Sequence, residues 1–142
     1  MSIAPSNVVL RRKSGLLVLE WPDGSACSLE AEFLRVLSPS AEVRGHGRHG
    51  AVLQTGKRRV GMRAVEAVGH YAIRILFDDG HESGIYSWDY LQQLCANKSS
   101  LWAKYLAELA AAGASRDPAP KAVSLSEQVQ VITIAPLSQP RN

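Results

Sequence analysis

Residues 75–91 read Ile75-Leu76-Phe77-Asp78-Asp79-Gly80-His81-Glu82-Ser83-Gly84-Ile85-Tyr86-Ser87-Trp88-Asp89-Tyr90-Leu91, and this stretch decides the fold. Tyr71, Ile73, Ile75 and Phe77 recur at period 2, the spacing that puts side chains on one face of a strand. Asp79-Gly80 is a hairpin turn, because Gly accepts positive φ without steric cost. The chain returns through Ser83–Tyr86. Ser87 is suited to cap a helix, and Asp89 complements the positive end of that helix. Tyr90, Leu91, Leu94 and Cys95 supply its apolar stripe.

The same order occurs earlier in the chain. Leu16-Leu17-Val18-Leu19-Glu20-Trp21 is a strand, Pro22-Asp23-Gly24 a turn, and Ser25–Leu29 a short return strand. A helix over 30–37 buries Phe33, Leu34 and Leu37 and stops before Pro39. The two units predict similar hairpin-helix layers. Val60–Val68 is a further strand, and Ala51-Val52-Leu53 a short one inside a long Gly-rich loop over 38–58. Asn97-Lys98-Ser99-Ser100 reads as a break before a last helix, Leu101–Ala112, which Gly113 terminates. The expectation is an α+β domain: a small antiparallel sheet built from two hairpins, with helices around 30–37, 88–95 and 101–112. Residues 1–9 read as a flexible N-terminus within a lead-in to residue 14, and 10–113 as the domain. Residues 114–142 read as a Pro/Ser-rich tail, with strand composition over Val129–Ile134.

At 142 residues, 46% of them hydrophobic and 20% charged, the chain is long enough for one real core and too apolar for wholesale disorder. No run approaches 18 apolar residues, so no membrane-spanning helix is expected. Met1–Lys13 lacks the apolar stretch of a secretory signal, and a cytoplasmic location follows as the expectation. Cys27 and Cys95 cannot form a disulfide scaffold and read as small, reduced core residues. Trp21, Trp88 and Trp102 read as core.

The net charge is only +3, so basic character has to come from clustering. Between Val43 and Val65 there is no Asp or Glu, whereas Arg44, Arg48, Lys57, Arg58, Arg59 and Arg63 all fall there. Such a segment favours an acidic protein or a small anion. Nucleic acid is disfavoured, because the interleaved aromatics that stack on single strands are missing. Gly45-His46-Gly47-Arg48-His49-Gly50 fits G-x-G-x-x-G but lacks the strand before and the helix after that a dinucleotide loop requires. Asp78, Asp79 and Glu82 form an acidic hairpin tip that turn chemistry explains without a catalytic role.

Taken together, Leu19–Gly24, Phe33-Leu34-Arg35, Ser38–Gly47, Val68–Ala72 and Asp79–Leu91 resemble the small domain that precedes the catalytic domain in gamma-butyrobetaine hydroxylase and trimethyllysine hydroxylase, also carried by bacteria as a stand-alone protein. The resemblance covers about residues 10–112. It implies an accessory module whose zinc is held by three cysteines and one histidine. Here those cysteine positions fall at Ser38, Ser40 and Val43, and only His81 remains. Zinc is therefore not expected, and His81 is instead expected to hydrogen-bond the Ser38–Ser40 loop. The oxygenase domain and its iron triad have no counterpart in this length of chain. Related domains fused to Mrp-type ATPases point to iron–sulfur assembly.

These readings lead to a non-catalytic interaction domain without a cofactor, whose surface comprises Arg35, Ser38, Ser40, Arg44, His46, Arg48, Lys57, Arg58, Arg59 and His81. The alternative is a metal-related role, with iron or zinc held by His46, His49 and His81 or an accessory part in iron–sulfur assembly. A third reading, an enzyme with a site at the His81 loop, has no nucleophile–base pair to name from sequence.

Overall fold

The computed structural model describes residues 3–44 and 51–118. Among them are six strands and four helices, of α+β class. β1 (Asn7–Arg11), β2 (Leu16–Glu20) and β3 (Ala26–Glu30) form one antiparallel sheet in that order. Helices α1 (Ala31–Val36) and α2 (Ala41–Arg44) follow. β4 (Met62–Val68), β5 (Ala72–Phe77) and β6 (Ile85–Ser87) form a second antiparallel sheet. The chain ends in α3 (Trp88–Ala96) and α4 (Lys98–Ala111).

The strands thus divide into two three-stranded sheets rather than one, and each is a meander followed at once by a helix. The alternation of β2 leaves Leu17 and Leu19 buried, and that of β5 buries Ile73, Ile75 and Phe77. These side chains join Leu29, Phe33, Leu34, Tyr86, Leu91 and Leu94 in one core, with all three tryptophans partly buried against it. Tyr71, expected on the same face, lies outside β5 and is exposed. The sheets meet where Arg12 Nε donates to the Arg63 carbonyl at 2.7 Å.

Both turns have the same construction. Gly24 (φ 89°) and Gly80 (φ 91°) take left-handed conformations that a Cβ disfavours. Asp23 and Asp79 each accept the backbone N–H two residues on, at 2.9 and 3.1 Å. Ser87 caps α3 by accepting the Tyr90 N–H at 3.1 Å.

Several expectations are corrected. The lead-in contains β1, whose Val8 and Leu10 pack on the core, so the ordered fold begins before residue 10. No strand forms at 51–53; Val52 N–H bonds the Val43 carbonyl at 2.6 Å and closes the stem of the loop. Residues 98–100 begin α4 instead of breaking the chain, since Ser100 and Leu101 bond back to the Asn97 carbonyl. Cys27 and Cys95 are joined in a disulfide, their Cα atoms 6.2 Å apart. Alternation along β3 and the stripe of α3 aim both at one place, a convergence that separation by 68 residues hides.

The tail boundary also moves. Gly56 N–H donates to the Ser115 carbonyl and Arg58 N–H to the Arg116 carbonyl, each at 2.9 Å. Arg116 grips buried Glu32 of α1 with two bonds of 2.8 and 2.7 Å and lies over the Trp102 ring. Residues 114–118 are therefore a docked strap. Val129–Ile134 lies outside the described residues.

Candidate functional site

The hairpin of the second sheet brings His81 under the loop that follows α1. The imidazole is buried, at 6% exposure. Its Nε2 lies 2.8 Å from Ser38 Oγ, and its Nδ1 lies 3.0 Å from Glu42 Oε1. A carboxylate only accepts, so Nδ1 carries the proton and Nε2 accepts from the Ser38 hydroxyl. Burial, then Arg35, pushes the His81 pKa down against the pull of Glu42 and Asp79. The neutral ring fits that assignment.

The loop is held by its own serines. Ser38 Oγ accepts from Ser40 N–H at 3.2 Å, Ser40 Oγ accepts from Glu42 N–H at 3.1 Å, and Ser40 meets Ser83 at 2.7 Å. A Cβ on Gly84 would overlap Ser38 Oγ and stand 3.3 Å from Tyr86 Cε1. Only glycine lets this strand approach so closely.

Asp79 anchors the other side of the turn. Its Oδ2 accepts from Arg35 Nε at 2.9 Å and from Lys57 Nζ at 2.7 Å. Burial opposes its ionisation, but the bonds from Lys57, His81 N–H and Arg35 prevail and bring its pKa to about 2. Arg35 also donates to Gln54 at 3.0 Å.

The donor set does not fit a structural zinc. One imidazole remains, both of its nitrogens are engaged, and Val43 presents hydrocarbon where a thiolate would stand.

Of the surface residues read from sequence, Arg35, Ser38, Ser40, Lys57 and His81 meet in this interior network. Arg58 pairs with Asp117, and Arg63 Nη2 lies 3.7 Å from Glu82. Much of the local charge is thus answered within the fold. Arg59 is exposed, and Arg44 lies 5.0 Å over the Tyr90 ring; among the described residues neither makes an ion pair. His46, Arg48 and His49 lie outside the described residues.

Arg44 stands at the edge of a cavity of about 560 Å³ between α2, residues 51–54 and α4. Its walls include Val36, Leu53, Tyr90 and Tyr105, and on the α4 side Lys104, which stands 3.9 Å from Glu108 on an exposed part of the same wall. Sequence reasoning missed Glu42, Gly84 and Lys104. The Ser-x-Ser-x-Glu spacing over 38–42 was the available signal for the first; nothing local marks Lys104, which α4 brings in from far along the chain.

The profile of the family described as gamma-butyrobetaine hydroxylase-like, N-terminal matches residues 8–92. The chain belongs to this family. Among solved structures, the chain is similar to a protein studied by NMR in solution, 51% identical, with a TM-score of 0.73 over 88% of this chain and 98% of its own. A second NMR structure is 46% identical, with a TM-score of 0.70 over 85% and 91%. A crystallised protein of unknown function from Acidithiobacillus ferrooxidans, of the DUF971 family, is 36% identical, with a TM-score of 0.54 over 65% and 92%. Among curated proteins none matches. Among the described residues no helix is long and apolar enough to cross a membrane.

Proposed function

We propose that this chain is a cytoplasmic, non-catalytic binding module without a cofactor, which engages an acidic protein segment at the cavity edged by Arg44 and Lys104. The observation that carries this reading is the position of Arg44. Its guanidinium rests on an aromatic ring beside an apolar cavity, while neighbouring Lys57 and Arg58 are committed to Asp79 and Asp117. An apolar wall with cations at its edge suits a peptide that combines a carboxylate with a hydrophobic side chain.

Catalysis is disfavoured on physical grounds. Ser38, His81 and Glu42 stand in the order nucleophile, base, carboxylate. Ser38 is only 1% exposed, however, and its hydroxyl lies against Gly84, where no carbonyl carbon can reach it.

The test is capture of binding proteins from native cells by the wild type, by Arg44→Glu/Lys104→Glu and by a Lys13→Glu control, at low and high salt. The expected result is an acidic partner retained by the wild type and the control, lost by the double variant, and weakened by salt over a Debye length of ~8 Å. Retrieval of the same partner by the folded double variant with unchanged affinity would overturn the reading.

A further inference from the structure

The Cys27–Cys95 disulfide joins β3 to the last turn of α3. Both cysteines line an open cavity of about 620 Å³, together with Trp21, Pro22, Asp23 and Gln92. Each is partly rather than fully buried. Accessible disulfides are the ones that exchange most readily, and this one faces a space large enough for a small molecule.

The two elements do not depend on the bond for their contact. Leu29 of β3 and Leu91 and Leu94 of α3 are buried in the common core. Lys98 at the start of α4 donates to the Ser28 carbonyl and pairs with Glu30, each at 2.9 Å. None of these contacts involves the sulfurs.

We propose that Cys27–Cys95 is a thiol–disulfide exchange site for a low-molecular-weight thiol admitted through this cavity. The partial burial of both sulfurs selects a small reductant over a protein thiol. The attacking thiolate forms a bond to the Cys95 sulfur, the protein S–S bond breaks, and Cys27 leaves as a thiolate that takes a proton from water. A second small thiolate then attacks the mixed disulfide. Cys95 leaves and is protonated, and the small molecule departs as its own disulfide. Two thiols are oxidised, and the protein disulfide gains two electrons. Cys27 leaves first because Cys95 lies at the negative end of α3, where a thiolate is disfavoured.

The test uses the full chain, without denaturant, in graded mixtures of reduced and oxidised glutathione, quenched by alkylation and read by mass. The wild type is expected to pass reversibly between disulfide and dithiol while its near-ultraviolet circular dichroism persists. Cys27→Ser is expected to hold a glutathione adduct on Cys95 several-fold more stably than Cys95→Ser holds one on Cys27. Three results would overturn the proposal: a disulfide that resists excess glutathione until denaturant is added, reduction that abolishes tertiary structure, or cysteines that stay reduced at every ratio. Equal adducts in the two variants would overturn the assigned order of attack.

Discussion

The first half of the fold, β1–β3 with α1, and the second, β4–β6 with α3, follow the same path and close in different ways. Leu17 pairs with Leu29 in one ladder and Ile73 with Tyr86 in the other. Superposing these pairs puts Cys27 where Gly84 stands. Counting from the helix N-caps, Glu30 and Ser87, puts Cys95 where Ser38 stands. The return strand of the first half meets α3 through a disulfide; the return segment of the second half meets the chain after α1 as a bare glycine against a serine hydroxyl. His81, which follows the second turn, is then buried in a hydrogen-bonded network, whereas Ser25, at the same place after the first turn, stays exposed. The lesson is that the strand-to-helix approach is fixed by the fold, and the chemistry that fills it is free to vary.

The halves should therefore respond differently to matched substitutions. The largest difference is expected at the helices. Glu32 of α1 is 7% exposed and held by Arg116, whereas its counterpart Asp89 lies on the surface in the first turn of α3. Arg116→Ala leaves a buried carboxylate without its partner and is expected to cost about 3 kcal/mol in urea unfolding. Asp89→Ala removes only a favourable dipole contact, at less than about 1 kcal/mol. Equal costs would mean that the strap contributes nothing to the first half.

A smaller difference is expected at the strands. Gly84→Ala drives a methyl into Ser38 Oγ and toward Tyr86, an overpacking that costs about 2 kcal/mol. Ser28→Ala, beside Gly84's counterpart Cys27 on the return strand of the first half, should stay within about 0.5 kcal/mol. Thermal or urea melts of the two variants measure the contrast. A neutral Gly84→Ala would show that the loop after α1 yields freely.

The repeat itself was legible, because period-2 alternation and the Asp-Gly turns are local signals. Trp21–Gly24 and Phe77–Gly80 declare the same turn in both halves. The expected bond from His81 to the Ser38 loop is present in the structure, since the family resemblance aligned those residues. What stayed illegible depends on contacts between distant segments. The charges of Lys57 and Arg63 looked unanswered along the chain, yet Asp79 and Glu82 on the folded hairpin meet them. Arg116 looked like tail until α1 presented Glu32 to it. Cys27 and Cys95 looked isolated because pairing by spacing fails when two sheets have to assemble first.

The smallest expected difference lies in acid. Asp23 and Asp79 occupy the same turn position, and both have lowered pKa values. Asp23 owes its shift to hydrogen bonds from Ser25 at an exposed tip, where solvent screens it. Asp79, its side chain 23% exposed, is brought down to about 2 from 3.8, against the opposing effect of burial, by Lys57, the His81 N–H and Arg35. Between these two values the unfolded chain binds more protons than the native one, so stability rises with pH across the window. The contribution of Asp79 is complete above about pH 4 and is lost as pH falls through 2. Allowing for partial screening, it is on the order of 1 kcal/mol. His81 acts in the same direction at higher pH. Its native pKa is depressed below 6.5, so its contribution is present above that value and lost as the pH falls toward the native pKa. Urea unfolding from pH 7 to pH 2 should thus show two losses, one beginning below about 6.5 and one below about 4. Asp79→Asn should flatten the lower step, His81→Gln the upper one, and Asp23→Asn should change neither appreciably. An acid profile that Asp23→Asn flattens as much as Asp79→Asn would place the two turns in equivalent environments and end the distinction drawn between the halves.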